Sequence, residues 1–289
     1  LEDLALTVHA HPDDEASKGA PTLAKYGSEG VRTVLVCCTG GEEGDVNNPA
    51  LKEPGQPFHG LEPHEEKALL AEMRPKELAD SAAVIGFHAV HMLGYRDSGM
   101  QGAETNNHPD CFHMAPLDEA TERLVAIIRA ERPQVIITYN DDQSSYPHPD
   151  HIKVHDISLA AFQRAGDPMW YPDAGPVWQP SKMYYTLWSK ERVLAVHEAL
   201  LAKDGKSPFT PAEWLEGMKA TAPHWFPTGS TGAGGGQGGA AADEGGAGPR
   251  LPRRRVRVAR ARLLDVPGHE RRHRAAGPAH RVDVEPQFR

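Results

Sequence analysis

The sequence predicts an α/β fold, a Rossmann-like, doubly wound and mostly parallel sheet with a smaller C-terminal α+β part. The first observation is that short β-branched runs alternate with longer stretches of helical spacing between residues 1 and about 165. Strands that alternate with helices in this way form βαβ crossovers and parallel sheets. The second is the composition of the 289 residues, 39% hydrophobic and 25% charged, which is that of a globular chain with a sizeable core.

Each element is predicted from its own local pattern. The strands are short apolar, β-branched runs, and they fall at residues 4–8, 31–38, 89–93, 134–139 and 182–187. The helices have apolar residues three or four positions apart, and they fall at residues 17–29, 65–85, 117–130, 152–164 and 191–202. Residues 39–60 form a long loop rich in Gly, Asn and Pro, and Pro75 is expected to kink or split the second helix.

The chain changes in composition along its length. Residues 1–165 are predicted to be the Rossmann-like core, and residues 166–228 a C-terminal, substrate-side part of the same domain. Residues 229–249 hold ten of the 28 glycines and are predicted to be a flexible linker. Residues 250–289 are an Arg-rich tail with no predicted fold. A natural linker and a shifted reading frame in a GC-rich gene would both produce such a stretch, and the sequence leaves both open.

Charge and cysteine content narrow the class of protein. The chain before residue 229 carries a net charge of -15, whereas residues 250–289 hold twelve arginines and four acidic residues. An acidic body disfavours nucleic acid and membrane surfaces, and no aromatic residues are interleaved with the arginines of the tail. The three cysteines form no C-x-x-C pair, which argues against a disulfide framework or a thiolate zinc site. We expect a cytoplasmic enzyme for a small-molecule substrate, with no apolar membrane span and no signal segment.

Two polar segments follow predicted strands. Residues 9–15 read HAHPDDE after the first strand, and residues 146–151 read YPHPDH after the strand at 134–139. Sites in open α/β sheets form outside the carboxyl ends of strands, so the two segments are expected to converge. Their imidazoles and carboxylates are donors that suit zinc. Each segment alone is also typical of an ordinary turn, and the prediction depends on finding both.

A hydrolytic zinc site needs three protein ligands and an open position for water. His11, Asp14 and His151 supply that number. Asp13, beside a ligand, could act as general base. His148 could stabilise an oxyanion and donate a proton if Asp150 or another carboxylate holds it protonated. Among their neighbours, His9 is expected to be a packed or supporting residue rather than a ligand, and Glu15 a carboxylate at a helix N-terminus.

These motifs resemble the LmbE-like, or PIG-L, family of zinc-dependent N-deacetylases. The resemblance is good over residues 3–165 and loose over 166–228, with no match recognised from 229 to about 275. It is closest to the mycothiol branch, whose members cleave mycothiol S-conjugates or deacetylate a GlcNAc-inositol. The matching motifs are AHPDDEASKG at 10–19, CTGGEEGD at 38–45, RDSGM at 96–100 and YPHPDHIKVH at 146–155.

The resemblance implies a role for each matching residue. It gives the same three ligands, with Zn²⁺ or Fe²⁺ as the metal, Asp13 as the base, His148 as the acid and Asp150 as its orienting carboxylate. It makes Tyr146 a mobile tyrosine that polarises the carbonyl. The positions that it assigns to substrate are Arg74 and Asp97 for sugar or inositol hydroxyls, Met100 beneath them, and Lys18 for the choice of acyl group.

The implied reaction is hydrolysis of the amide on a glucosamine nitrogen. The S-K-G sequence around Lys18 favours a mycothiol S-conjugate as substrate, giving glucosaminyl-inositol and an N-acyl cysteine S-conjugate. The alternatives are a deacetylase of an N-acetyl-glucosaminyl-inositol or another GlcNAc compound, and an inactive sugar-binding relative. Trp170 and Trp178 are either an apolar wall for the S-substituent or packing residues in the second layer of the fold.

Overall fold

The computed structural model of the chain describes residues 3–141, 143, 146–186 and 190–207. Five strands form one sheet in this part of the chain, and they are β1 (Leu4–His9), β2 (Arg32–Thr39), β3 (Ala89–Tyr95), β4 (Val135–Tyr139) and β5 (Lys182–Thr186). Their spatial order is β3-β2-β1-β4-β5, and every neighbouring pair is parallel. The predicted doubly wound α/β class is therefore confirmed.

Helices connect the strands wherever the sequence predicts a crossover. Those described are α1 (Asp14–Ser17), α2 (Ala20–Ser28), α3 (Pro63–Ile85), α4 (Leu117–Glu131), α5 (Pro149–Arg164) and α6 (Lys190–Asp204). The prediction of one helix over 17–29 is wrong, because Gly19 adopts a left-handed φ of 113° and separates α1 from α2. Pro75 does not split α3, which runs unbroken through it.

The core lies on both faces of the central strand. All six residues of β1 are buried, as expected for a parallel strand that is covered by helices on each side. On one side, Leu6 and Val8 share a core cluster with Leu124 of α4 and Ile157 of α5. This packing holds the first turn of α5 at a fixed position relative to the end of β1.

The direction of winding reverses between β1 and β4. The chain moves from β1 outward to β2 and β3, and then returns to place β4 on the other side of β1. Ala5, Leu6 and Thr7 pair with Val135, Ile136 and Ile137. The loops that follow β1 and β4 therefore start side by side at the switch point, where open α/β sheets form their sites.

The C-terminal part adds to the same sheet. β5 pairs in parallel with β4 over five residues, and α6 follows it, close to the predicted strand and helix. Residues 208–228 and the predicted Gly-rich and Arg-rich segments lie outside the described residues, so the proposed domain boundaries stay predictions. None of the described helices combines the length and the apolar character that crossing a bilayer requires.

Candidate active site

Three donor side chains from the two loops converge beneath the switch point. His11 and Asp14 come from the turn after β1, and His151 comes from the first turn of α5. His11 Nδ1 and His151 Nε2 each lie 3.5 Å from Asp14 Oδ2, and all three side chains are buried. Ligands about 2.0–2.1 Å from a tetrahedral zinc ion lie about 3.3 Å from one another. The donor types and their spacing thus fit a divalent ion.

The turn that carries these donors is held in an unusual conformation. Asp13 adopts a φ of 97°, a left-handed region that non-glycine residues rarely occupy. Its N–H donates to Glu15 Oε2 at 2.8 Å, and the hydroxyl of Ser81 donates to the other oxygen of Glu15. The N–H of His11 donates to Asp14 Oδ2 at 3.1 Å. Glu15 therefore stabilises the strained turn from the first turn of α1, where a carboxylate is favourable.

Asp13 pairs with Arg74 and leaves 69% of its side chain exposed to solvent. Partial desolvation by the walls of the site, followed by the negative charge of Asp14, raises the pKa of Asp13 above its ordinary value, while Arg74 opposes this shift. An exposed carboxylate beside a metal ligand, with a raised pKa, has the properties of a general base.

Arg74 ties the first loop to the glycine loop, which we define as residues 40–45 after β2. Its guanidinium donates to Gly41 O at 2.9 Å and to Pro12 O at 2.6 Å, and it pairs with Asp13. A Cβ at Gly44 would lie 1.9 Å from Arg74 Nη1. The sequence assigned this arginine to substrate hydroxyls, whereas these donors are directed at the protein, so a role in substrate binding stays a prediction.

His148 caps the N-terminus of α5. Its Nδ1 accepts the N–H of Asp150 at 3.2 Å, so a neutral ring carries its proton on Nε2. Burial, followed by the neighbouring His11, lowers the pKa of His148 to about 4. The Asp150 carboxylate bonds to the N–H of Ser98 at 3.0 Å, to the Ser98 hydroxyl, and to His11 Nε2 at 3.2 Å. The role of Asp150 as the carboxylate that keeps His148 protonated stays a prediction.

Asp97 and Lys18 also contact the donor set. Asp97 Oδ1 lies 3.4 Å from His11 Nε2; burial alone would raise the pKa of Asp97, but the hydrogen bond and charge of His11 lower it. Lys18 pairs with Asp14 Oδ1, and its ammonium lies 5.5 Å from the centre of the Tyr139 ring. Lys18 thus lies beside the three candidate metal donors.

Two other predicted residues lie at the surface. Tyr146 is half exposed, and its ring centre is 5.5 Å from that of His151. Met100 is also about half exposed. Of these two, Tyr146 is close enough to the donors to reach a substrate that approaches them, and the role of Met100 stays a prediction.

Sequence reasoning missed Tyr139. This buried residue ends β4, and its hydroxyl donates to Asp14 Oδ2 at 2.6 Å. Its ring stacks on His151, with ring centres 4.5 Å apart. The available signal was a hydroxyl-bearing residue at the carboxyl end of a strand, which the prediction read only as part of that strand.

Trp170 and Trp178 lie at the far end of α5 and do not form a wall of the site. The side chain of Arg164 stacks 4.0 Å above the Trp170 ring, and the backbone N–H of Trp178 donates to Ala165 O. The 16 residues of α5 separate them from the donors by about 24 Å at 1.5 Å per residue. The packing alternative therefore fits both residues, because Trp178 packs against the core and donates its indole N–H to Pro133 O, while Trp170 stacks against Arg164.

Comparison with known proteins agrees with this geometry. The PIG-L family, described as GlcNAc-PI de-N-acetylase, matches residues 6–162. A mycothiol S-conjugate amidase of Streptomyces coelicolor is 42% identical over 216 residues, which are 73% of this chain and 69% of that protein. A 1D-myo-inositol 2-acetamido-2-deoxy-alpha-D-glucopyranoside deacetylase of Thermobifida fusca is 41% identical over 222 residues, 75% of this chain and 73% of that protein.

A solved structure shares the fold at lower sequence identity. The N,N'-diacetylchitobiose deacetylase of Pyrococcus horikoshii aligns with a TM-score of 0.50 and 19% identity, over 76% of this chain and 77% of that chain. This likeness concerns the arrangement of the sheet and helices.

Proposed function

This chain belongs to the PIG-L family of de-N-acetylases, and from that premise we propose that it hydrolyses the amide on a glucosamine nitrogen with a metal held by His11, Asp14 and His151. One observation carries the proposal. Two loops about 140 residues apart in the chain bring three buried donors together beside Asp13, a carboxylate that faces solvent. The proposed metal is zinc, and Fe²⁺ is an alternative because such a ligand set selects weakly between the two.

The chain supplies the proton transfers. A divalent ion at this site would provide Lewis-acid activation of water and of the substrate carbonyl. Asp13 accepts a proton from the attacking water, because its carboxylate is open to solvent and its pKa is raised. The Nε2–H of His148 then faces the developing negative charge on the carbonyl oxygen as a hydrogen-bond donor. The proposed role of Tyr146 is to polarise the same oxygen, and its half-exposed position beside His151 supports this role.

The leaving nitrogen needs one proton to depart as an amine. Asp13 supplies it by passing on the proton that it accepted from water. The water oxygen ends in the new carboxyl group, which releases its own proton to solvent, and Asp13 returns to its starting state. Neutral His148 keeps its Nε2 proton throughout and acts as a hydrogen-bond donor to the oxyanion, because a neutral imidazole that gave up this proton would become an imidazolate.

The substrate that we propose is a mycothiol S-conjugate, with the N-acetyl-glucosaminyl-inositol as the alternative. The two relatives named above differ in just this respect and have nearly equal identities to this chain. The preference comes from Lys18, which lies beside the three candidate metal donors with its side chain 19% exposed. Its ammonium is a donor that the carbonyls of a cysteinyl substituent can use and an acetyl methyl cannot.

The deciding experiment compares kcat/KM for the two substrates in the wild-type enzyme and in Lys18→Ser, with metal content measured for each. We expect the wild-type enzyme to favour the conjugate, and Lys18→Ser to lose most on it. Lys25→Ser is the matched control, because Lys25 forms an exposed pair with Glu29 on α2. Equal loss on both substrates would remove Lys18 from substrate choice. A wild-type protein that binds metal yet releases no amine from either substrate would contradict the enzymatic proposal.

We propose a reducing compartment such as the cytoplasm for this enzyme, which the state of its cysteines supports. The three cysteines are free and buried. Buried thiols with raised pKa, as for Cys37 and Cys38, are inert packing residues rather than catalytic groups.

A further inference from the structure

Tyr139 lies directly behind the metal site and touches two of its three donors. The residue is 2% exposed. Its hydroxyl donates to Asp14 Oδ2 at 2.6 Å, and its ring lies nearly parallel to that of His151, at an interplanar angle of 18°. The hydroxyl therefore meets the same oxygen that faces His11 Nδ1 and His151 Nε2.

The direction of the hydrogen bonds behind Tyr139 is fixed by chemistry. A phenol has one proton, and Tyr139 gives it to a carboxylate, so its oxygen can only accept from its other neighbours. The Ala10 N–H donates to it at 3.2 Å, and His9 Nδ1 lies 3.3 Å away. That contact requires a proton on Nδ1, which leaves His9 Nε2 to accept the hydroxyl of Thr7 at 2.9 Å.

The result is a buried chain of donors that runs one way, from Thr7 through His9 and Tyr139 to Asp14. Chains of this kind polarise their members and hold them in one orientation. The other oxygen of Asp14 is held by Lys18. Both oxygens are therefore fixed before any ion arrives, and the carboxylate has little freedom to rotate.

We propose that Tyr139, supported by His9 and Thr7, is a positioning residue that sets the orientation of Asp14 and His151 for metal binding. The inference rests on the proposed metal site and deepens it. Groups that orient metal ligands in this way typically contribute about 10–100-fold to metal affinity. Asp13, His148 and Tyr146 are not members of the hydrogen-bond chain from Thr7 to Asp14. The effect of breaking that hydrogen-bond chain should therefore appear in the affinity for the metal alone.

The test is competition for Zn²⁺ between the full-length, metal-free protein and a chromophoric chelator. We expect Tyr139→Phe, which keeps the ring but loses the hydroxyl, to bind zinc about 10–100-fold more weakly. Tyr95→Phe is the matched control, because Tyr95 is a buried tyrosine at the end of β3 that stacks on Phe112. The control should bind zinc as the wild-type protein does.

A spectroscopic readout separates positioning from a purely structural role. With Co²⁺ in place of zinc, Tyr139→Phe should shift the visible absorption bands, because the ligand geometry changes. A variant that only melts at a lower temperature, with unchanged zinc affinity and an unchanged cobalt spectrum, would overturn the inference.

Thr7→Val keeps the proposal falsifiable if Tyr139→Phe does not fold. It removes the hydroxyl that begins the chain, and we expect a loss of zinc affinity smaller than that of Tyr139→Phe. If Tyr139→Phe does fold, adding Thr7→Val to it should cause no further loss of zinc affinity, because Tyr139→Phe has already broken the hydrogen-bond chain. Unchanged affinity in Thr7→Val when Tyr139→Phe cannot be prepared would overturn the inference. A wild-type protein that binds neither Zn²⁺ nor Fe²⁺ would contradict the proposed function, whereas wild-type affinity in every variant would contradict this inference alone.

Discussion

The adjacent carboxylates Asp13 and Asp14 lie in different environments, and their pKa values shift in opposite directions. Burial alone would raise the pKa of Asp14, but hydrogen bonds from His11 and His151 and the charge of Lys18 hold it well below its ordinary value. Asp13, one residue earlier, reaches solvent and has a raised pKa. Asp14 is buried, whereas the Asp13 side chain is 69% exposed. This difference in burial and in partners gives one carboxylate the properties of a ligand and its neighbour those of a base.

Replacing Asp13 by Asn should separate metal binding from turnover. We expect Asp13→Asn to bind zinc as before and to lose about 10²–10⁴-fold in kcat, because removal of a general base typically has that effect. The measurements are zinc content and the rate of amine release. Asp80→Asn, at an exposed position on α3, is the matched control. If Asp13→Asn lost its metal but kept full activity per bound ion, Asp13 would be a ligand and not the base.

The identity of the candidate residues could be predicted from local sequence, but their partners could not. HPDD and HPDH are short motifs, so the convergence of their donors needed only the order of the strands. The bond between Asp150 and Ser98 joins segments 52 residues apart, and no spacing rule indicates it. Tyr139 is missed for the same reason, since its hydroxyl finds Asp14 only after β4 pairs with β1.

At the scale of elements, the glycine loop closes on α3 through Arg74. A side chain at Gly44 would displace a guanidinium that is already bonded to Gly41 O and Pro12 O. We expect Gly44→Ala to lower the free energy of unfolding by about 1–3 kcal/mol, the usual cost of overpacking. It should also reduce kcat, because Arg74 holds Asp13. Urea denaturation and steady-state kinetics measure the two effects.

The matched control is Gly27→Ala, which should act in the opposite direction. Gly27 lies inside α2, and a Cβ there would have its nearest neighbour at 3.8 Å. An alanine at a compatible helical position typically adds about 0.4–1 kcal/mol of stability. If both substitutions destabilised the protein equally, the contact with Arg74 would not be the cause.

The local sequence pattern predicts the presence of helices and strands better than it predicts the residues at which they begin and end. Apart from the single helix over 17–29, each strand and helix predicted within the described residues is present, because apolar periodicity reports burial directly. The break at Gly19 was missed, since the apolar spacing continues across it while the backbone turns left-handed. Likewise, α5 begins three residues before its predicted start, at Pro149, because proline is favourable in the first turn of a helix. That earlier start makes His148 the cap.

For the molecule as a whole, a metal ion that joins the loops after β1 and β4 should raise the stability of the folded protein. An ion that binds the folded protein and not the unfolded chain stabilises it by about 2.7 kcal/mol at a free concentration 100 times its Kd. We expect Zn²⁺ to raise Tm and a chelator to reverse the rise. His151→Ala should abolish the response, and His64→Ala, at an exposed position on α3, should retain it. A Tm that rises equally in His151→Ala would place the ion elsewhere.

Because β4 pairs with β1 across a long stretch of sequence, the proposed metal ligands of the nascent chain are synthesised at different times. His11 and His151 are 140 positions apart, so a ribosome that adds about 5–20 residues per second exposes the second about 7–28 s after the first. During that interval the nascent chain presents one imidazole and one carboxylate, which is half a coordination sphere. Binding of a metal by the three proposed ligands therefore requires that the last of them has been synthesised and that the two central strands have paired.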